Sequence, residues 1–213
     1  MYAVINTETS GLFDFSKPAD AEGQPRLAHL CMIFVDADLK EEGVADYLIK
    51  PEGWTMTPEA EKINHLSTAL LMEKGVSIVN ALSAYATAID EGRIIVAFNA
   101  QFDTKVMRGE MRRSKIDDRF ERTPNICVMR PLTEICAIPK AKGKGFKFPK
   151  LSEAMAHFKI EQSGAHLADG DARAALELFR VLRKIGACPE PSVHFAKETL
   201  QNDDRPASRF ATA

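Results

Sequence analysis

Tyr2-Ala-Val-Ile-Asn6-Thr-Glu8-Thr-Ser-Gly11 opens with an apolar run that gives way at once to polar residues. Residues 2–5 read as a buried strand, and Asn6 and Glu8, two positions apart, fall on one face at its end. Side chains delivered there stand outside the core, where chemistry can be done. A second junction of this kind follows the unbroken apolar run RIIVAF at residues 93–98, a fully buried strand that leads into a helix expected over 101–113. Between them stands Asn99-Ala-Gln-Phe-Asp103, which brings a carboxylate out of the core at the sheet's edge. A third polar group, His166-Leu-Ala-Asp-Gly-Asp171, places a histidine on a loop and an aspartate at the start of a helix expected over 171–185. Ala175, Leu178, Leu182 and Ile185 share one face of that helix.

The segments between these junctions set the frame. Residues 29–36 and 44–49 read as two more strands joined by the polar stretch ADLKEEG, which suits an antiparallel meander with the first strand. Thr57-Pro58 is a helix start, a hydroxyl at N-cap and proline at N1, and two helical stretches follow until Gly92 stops the second. A strand-like patch at 126–129 leads into a short helix ending near Cys136. The segment PKAKGKGFKFPK, residues 139–150, reads as a loop, and 151–158 is amphipathic. A meander followed by alternating strands and helices argues for an α/β fold with a mixed sheet flanked by helices, a pattern that several architectures satisfy. One domain is expected over residues 1–186, with 187–213 as a C-terminal extension holding a short helix and then a polar tail.

With 213 residues the chain has room for one sizeable core. Its 28 Lys and Arg against 30 Asp and Glu give a net charge of −2, so a nucleic-acid surface, if there is one, must be local. Cys31, Cys127, Cys136 and Cys188 form no C-x-x-C pair and read as reduced thiols, which points to a cytoplasmic protein. No basic segment followed by an apolar one opens the chain, and no apolar run is long enough to span a bilayer, so no membrane partner is expected.

Taken singly, an acid after a strand is usually a turn or cap residue, and His166 alone would be a surface loop residue. In combination and in this order the three groups resemble the histidine-containing DEDD exonucleases (DEDDh, DnaQ-like), whose motifs are D-x-E-T-[TS]-G, N-x-x-F-D and H-x-A-x-x-D-A. Thr57-Pro58-Glu59-Ala60 with Ile63-Asn64-His65-Leu66-Ser67 loosely resembles a further helix of that family. The resemblance covers most of residues 1–186. It implies a ribonuclease-H-like fold, a five-stranded mixed sheet with three antiparallel strands first and helices on both faces. It also implies stepwise 3′→5′ hydrolysis of a strand with a free 3′ end, single-stranded by expectation, releasing nucleoside 5′-monophosphates. Two divalent ions, Mg2+ or Mn2+, roughly 3.5–4 Å apart would stabilise the attacking and leaving oxygens. By the same resemblance Glu8, Asp171 and position 6 hold the water-activating ion, Asp103 holds the second, and position 6 bridges both. His166, whose ordinary pKa is about 6.5, is suited to accept the proton of the attacking water. Thr9, Gly11, Leu12, Phe13, Asn99 and Phe102 are candidate nucleic-acid contacts.

Position 6 departs from the family, with asparagine where it has aspartate, so the site is one negative charge short. Every other signature residue is present, which favours a cleaving enzyme disabled by a single Asp→Asn change over a natural binding module with vestigial motifs. A phosphodiesterase for short or cyclic oligonucleotides would share the chemistry. Lys140, Lys142 and Lys144, in a loop without acids beside Phe146 and Phe148, could track a strand, with a merely solvated loop as the alternative. Arg108, Arg112 and Arg113 read as a solvated helix face with phosphate contact as the second option. DNA or RNA preference and oligomeric state are not legible, a dimer being one option.

Overall fold

A computed structural model describes residues 1–161 and 168–193 of the chain. One sheet contains β1 (Tyr2–Thr9), β2 (Leu27–Val35), β3 (Glu41–Leu48), β4 (Ile94–Ala97) and β5 (Asn125–Cys127), in the order β3-β2-β1-β4-β5. The first three strands pair antiparallel, and β4 and β5 join parallel to β1. The expected five-stranded mixed sheet, meander first, is therefore what forms. Strand limits differ from expectation most at two places. β1 runs on through Thr9 because β2 keeps pairing as far as Glu8 opposite His29. β3 begins at Glu41, inside the expected connection, because an outer strand tolerates charge: Glu41 and Glu42 lie exposed and meet Arg173 and Arg93.

The helices are α1 (Pro58–Asn64), α2 (Thr68–Lys74), α3 (Ile78–Asp90), α4 (Ala100–Arg113), α5 (Met129–Cys136), α6 (Leu151–His157) and α7 (Ala168–Lys184). Before Gly92 there are three helices rather than two, because α1 ends at His65 and α2 at Gly75, and Ser67 and Ser77 each cap the next helix with a side-chain oxygen. Thr57 caps α1 as expected, accepting from the Ala60 amide at 3.2 Å. Alternation along β1 splits the core in two. Tyr2 and Val4, with Cys31 and Ile33 of β2, pack against Leu132, Met155, Leu178 and Phe179 of α5, α6 and α7. Ala3 and Ile5, with Leu30 and Met32, pack against Leu82, Tyr85, Val106 and Met107 of α3 and α4. Each buried large side chain contributes about 1.5–3 kcal/mol, so the two layers fix which face of β1 meets which helix.

Two features position the end of β1. Its parallel pairing with β4 covers only Tyr2, Ala3 and Val4, so residues 6–9 project past β4 toward the start of α4. Its ladder with β2 shifts register between Glu8 and Thr9, where Ala28 of β2 is left without a partner on β1, so regular pairing breaks just past Glu8. At the far side of the sheet, Asn125 of β5 exchanges two backbone hydrogen bonds with Ser192, at 2.9 and 3.0 Å.

Candidate active site

The end of β1 straddles both faces of the sheet. Asn6 and Glu8 are half-buried on the α7 side, while Thr7 points to the α4 side and is buried. There the Asp103 carboxylate, in the first turn of α4 and 3% exposed, accepts from the Thr7 amide at 2.9 Å and from the Thr7 hydroxyl at 2.8 Å. A side chain thus completes the β1 backbone where β4 has ended. Asp171 lies in the first turn of α7, the helix that packs on β1. That helix starts at Ala168, three residues before the expected position, so Asp171 is a first-turn residue rather than the leading one. Negative charge is tolerated there by the dipole.

These carboxylates interact. Burial, then the charges of Asp171 and Asp103, push Glu8 up to about 7. Burial also pushes Asp103 up to about 7 against the two Thr7 hydrogen bonds, with Asp171 adding to the rise. A net rise of this size, with the Thr7 hydrogen bonds already counted, favours the neutral acid by about 4 kcal/mol. A cation would relieve the repulsion among these carboxyls, and hard oxygen donors of this kind suit magnesium or manganese. Among the described residues, however, no group of three His, Cys, Asp or Glu side chains is gathered closely enough to close on an ion. Position 6 supplies no carboxylate. Its amide nitrogen instead donates to Glu8 Oε1 at 3.4 Å, which lowers Glu8 slightly and occupies an oxygen that an ion would need.

Histidine 29 is a neighbour to which sequence reasoning gave no role. It sits across the β1–β2 ladder from Glu8, and its charge tends to lower the Glu8 carboxyl. Its Nε2 lies 2.7 Å from Asp46 Oδ1 of β3, a bond that holds Asp46 below the usual carboxylate range. Among the described residues, its Nδ1 is buried without a hydrogen-bond partner. Only register could have revealed it, since nothing local in the sequence links positions 8, 29 and 46.

The candidate contacts divide. Thr9 is buried, its hydroxyl donating to the Gly11 carbonyl at 2.8 Å, and its own carbonyl accepts from Asn64 at 3.2 Å, which ties the motif to α1. Gly11 packs beside Thr57 without needing to be glycine, since an added Cβ would meet only ordinary contacts. Leu12 is 89% exposed. Phe13 is half-buried and forms a cluster with Phe15 and Phe102, ring centroids 6.0 to 6.5 Å apart. Asn99 is the N-cap residue of α4, but its side chain does not make the cap bond. Lys140, Lys142 and Lys144 are exposed on a loop that doubles back through a bridge between Pro139 and Phe146, and Lys147 pairs with Glu153. His166 lies outside the described residues. The arginines of α4 are neither a solvated face nor set out for phosphate. Arg108 is buried, 4.1 Å over Phe120 and 3.5 Å from Asp118, Arg112 pairs with Asp118 at 2.7 Å, and Arg113 pairs with Glu110 at 3.2 Å.

Comparison with known proteins agrees with the fold. Residues 3–179 match the protein family described as Exonuclease. DNA polymerase III subunit epsilon of Treponema pallidum is 27% identical over 133 residues, 59% of this chain and 54% of that protein. Exonuclease I from Methylocaldum szegediense superposes with a TM-score of 0.69 at 19% identity, over 86% of this chain and 40% of the other. E. coli exonuclease I in complex with a dT13 oligonucleotide gives a TM-score of 0.66 at 18% identity, over 85% and 40%. A zinc-bound form of the E. coli enzyme with single-stranded DNA gives 0.69 at 18% identity, over 86% and 40%. The chain thus spans about half the length of the epsilon subunit and less of the exonuclease I proteins.

Proposed function

Since the chain belongs to the exonuclease family, as a DEDDh-type member of the ribonuclease-H-like superfamily, we propose that it is built to remove nucleoside 5′-monophosphates from the 3′ end of a strand and is disabled by asparagine at position 6. The observation that carries this reading is the convergence of Glu8 of β1, Asp103 of α4 and Asp171 of α7 on the end of β1, where burial first and then their neighbours' charges push Glu8 and Asp103 up to about 7. Glu8, Asp171 and an acid at position 6 would hold one divalent ion and Asp103 the other. Bound there, magnesium or manganese would supply positive charge to the attacking water and the leaving oxygen. Asp103 is pre-aimed by Thr7, so its second oxygen faces a fixed direction. His166, by its place in the third motif, accepts the proton of the attacking water. Leu12 and the ring cluster of Phe13 and Phe102 offer apolar contact to the terminal base, and Lys140, Lys142 and Lys144 offer charge to the backbone behind it. The oligonucleotide bound to E. coli exonuclease I makes an unpaired strand the first substrate to try.

The test is paired. Mononucleotide release and strand affinity are measured for the chain and for Asn6→Asp, in magnesium and manganese, on DNA and RNA strands with free or blocked 3′ ends. A neutral residue at a bridging ligand position costs several kcal/mol of transition-state stabilisation, so Asn6→Asp should cut at least about a thousandfold faster with similar affinity. A blocked 3′ end should stop it. If Asn6→Asp is inert in both metals on every strand while affinity persists, a silent binding module replaces the exonuclease.

A further inference from the structure

Residues 12–26, between the first motif and β2, form no helix or strand, yet one stripe of α4 holds them along their length. Phe102, Lys105, Gly109 and Arg113 are spaced three and four apart, so they line one side of the helix. Lys105, 1% exposed, donates from Nζ to the Lys17 carbonyl at 2.7 Å and to the Phe15 carbonyl at 3.4 Å. The same ammonium lies 5.7 Å from the ring centroid of Phe13 and 5.4 Å from that of Phe15, within cation–π range. One turn on, the loop approaches so closely that a Cβ on Gly109 would stand 2.5 Å from the Ala19 carbonyl oxygen. Arg113 donates to that carbonyl at 3.3 Å, and Glu110 accepts from the Leu27 amide at 3.0 Å and from both ends of the Arg26 fork at 2.8 and 2.9 Å.

Burying an ammonium is costly unless its donors are met, so an apolar side chain would cover α4 more cheaply. What an apolar side chain could not do is hold two carbonyls and two rings at one point. That point is two residues from Asp103 on the same rigid helix. We infer that Lys105 is a positioning residue: it fixes Phe13 and Phe15 against Phe102 as a preset platform for the terminal nucleobase, with Leu12 at its lip, in register with Asp103. A platform ordered before binding need not be ordered by it, which lowers the cost of association. This rests on the exonuclease reading.

The test uses a single-stranded DNA oligonucleotide carrying 2-aminopurine at its 3′ end, whose fluorescence is quenched on stacking. The chain itself should quench the probe, and Lys105→Met should bind about tenfold more weakly, the worth of a lost base stack, with less quenching. In Asn6→Asp, adding Lys105→Met should raise KM about tenfold while kcat changes less than about threefold, and Lys105→Arg should restore most of the loss. Gly109→Ala, which must displace Ala19, should give the same split and serves if Lys105→Met fails to fold. Unchanged quenching and KM in both variants, or a loss confined to kcat, overturns the inference. So does a parent chain that binds the probe without quenching it, while leaving the exonuclease reading intact. A parent that neither binds nor, as Asn6→Asp, cuts any strand defeats the exonuclease reading and the inference together.

Discussion

Two acidic clusters in this chain behave in opposite ways. At the end of β1, Glu8 and Asp103 are pushed up to about 7 by burial and by their neighbours' charge. Beyond the other end of the sheet, Asp90 and Asp118 are held below the usual carboxylate range: Asp90 by hydrogen bonds from Arg119 and by Arg122, and Asp118, despite its burial, by the Phe120 amide and by Arg112 and Arg108. Both sets are carboxylates, but Asp90 and Asp118 are answered by arginines, whereas among the described residues no arginine pairs with Glu8 or Asp103. Where a carboxylate serves the fold, its charge is answered within the protein. Where it is left unanswered at some expense in stability, it is available to something from outside.

The largest expected effect swaps equivalent carboxylates. In the Asn6→Asp chain, Asp103→Asn should lower mononucleotide release by at least about a thousandfold, the cost of misplacing charge in the transition state. Asp118→Asn should leave kcat and KM alone and lower Tm by a few degrees, since it weakens the contacts to Arg112 and Phe120. Equal kinetic losses from the two would erase the distinction. Next, His166→Ala in the same background should slow turnover by about two to four orders of magnitude with strand affinity retained, as expected of a general base. A variant that cuts at the parent rate would remove His166 from the mechanism.

The smallest effect is on stability and depends on pH with opposite sign at the two clusters. A raised carboxyl stabilises the fold while protonated, and that contribution, full below its unfolded value near 4.5, is lost as pH rises through about 7. Glu8→Gln, measured with a chelator present, should therefore raise Tm by several degrees at pH 8 and leave it nearly unchanged at pH 4. A lowered carboxyl contributes above its unfolded value and loses that contribution as pH falls. Asp90→Asn should thus lower Tm slightly at pH 8 and by less as the pH falls below about 3.8, the effect being small because the group is exposed. Melting curves in which Glu8→Gln matters more at pH 4 than at pH 8 would reverse the assignment of strain.

The placement of Glu8, Asp103 and Asp171 at the candidate site was legible because its signals are local. A strand that stops in polar residues, a buried strand opening onto Asp103 and a helix opening near Asp171 can each be read within a dozen residues. Where the reading failed, the cause was cover from a distance. Helix α4 carries Lys105, Arg108 and Glu110 and looks half-solvated, yet every residue from Asp103 to Met111 is buried because the loop 12–26 and the segment around Asp118 lie over it. Glu41 and Glu42 look like a connection because an outer strand bears charge on an exposed face. His29 stayed unmarked because its partners come from two neighbouring strands.

The pairing of Asn125 with Ser192 bears on how the protein can be handled. An outer strand presents a row of unsatisfied amides and carbonyls, a ready template for another chain. Here Ser192, in the segment that follows α7, pairs with Asn125 of β5, so a version trimmed soon after Lys184 would lose the packing of Ala187 and Cys188 at the core's margin and bare that border. Self-association and loss of soluble yield, rather than loss of helix or sheet content, would be the price of trimming there.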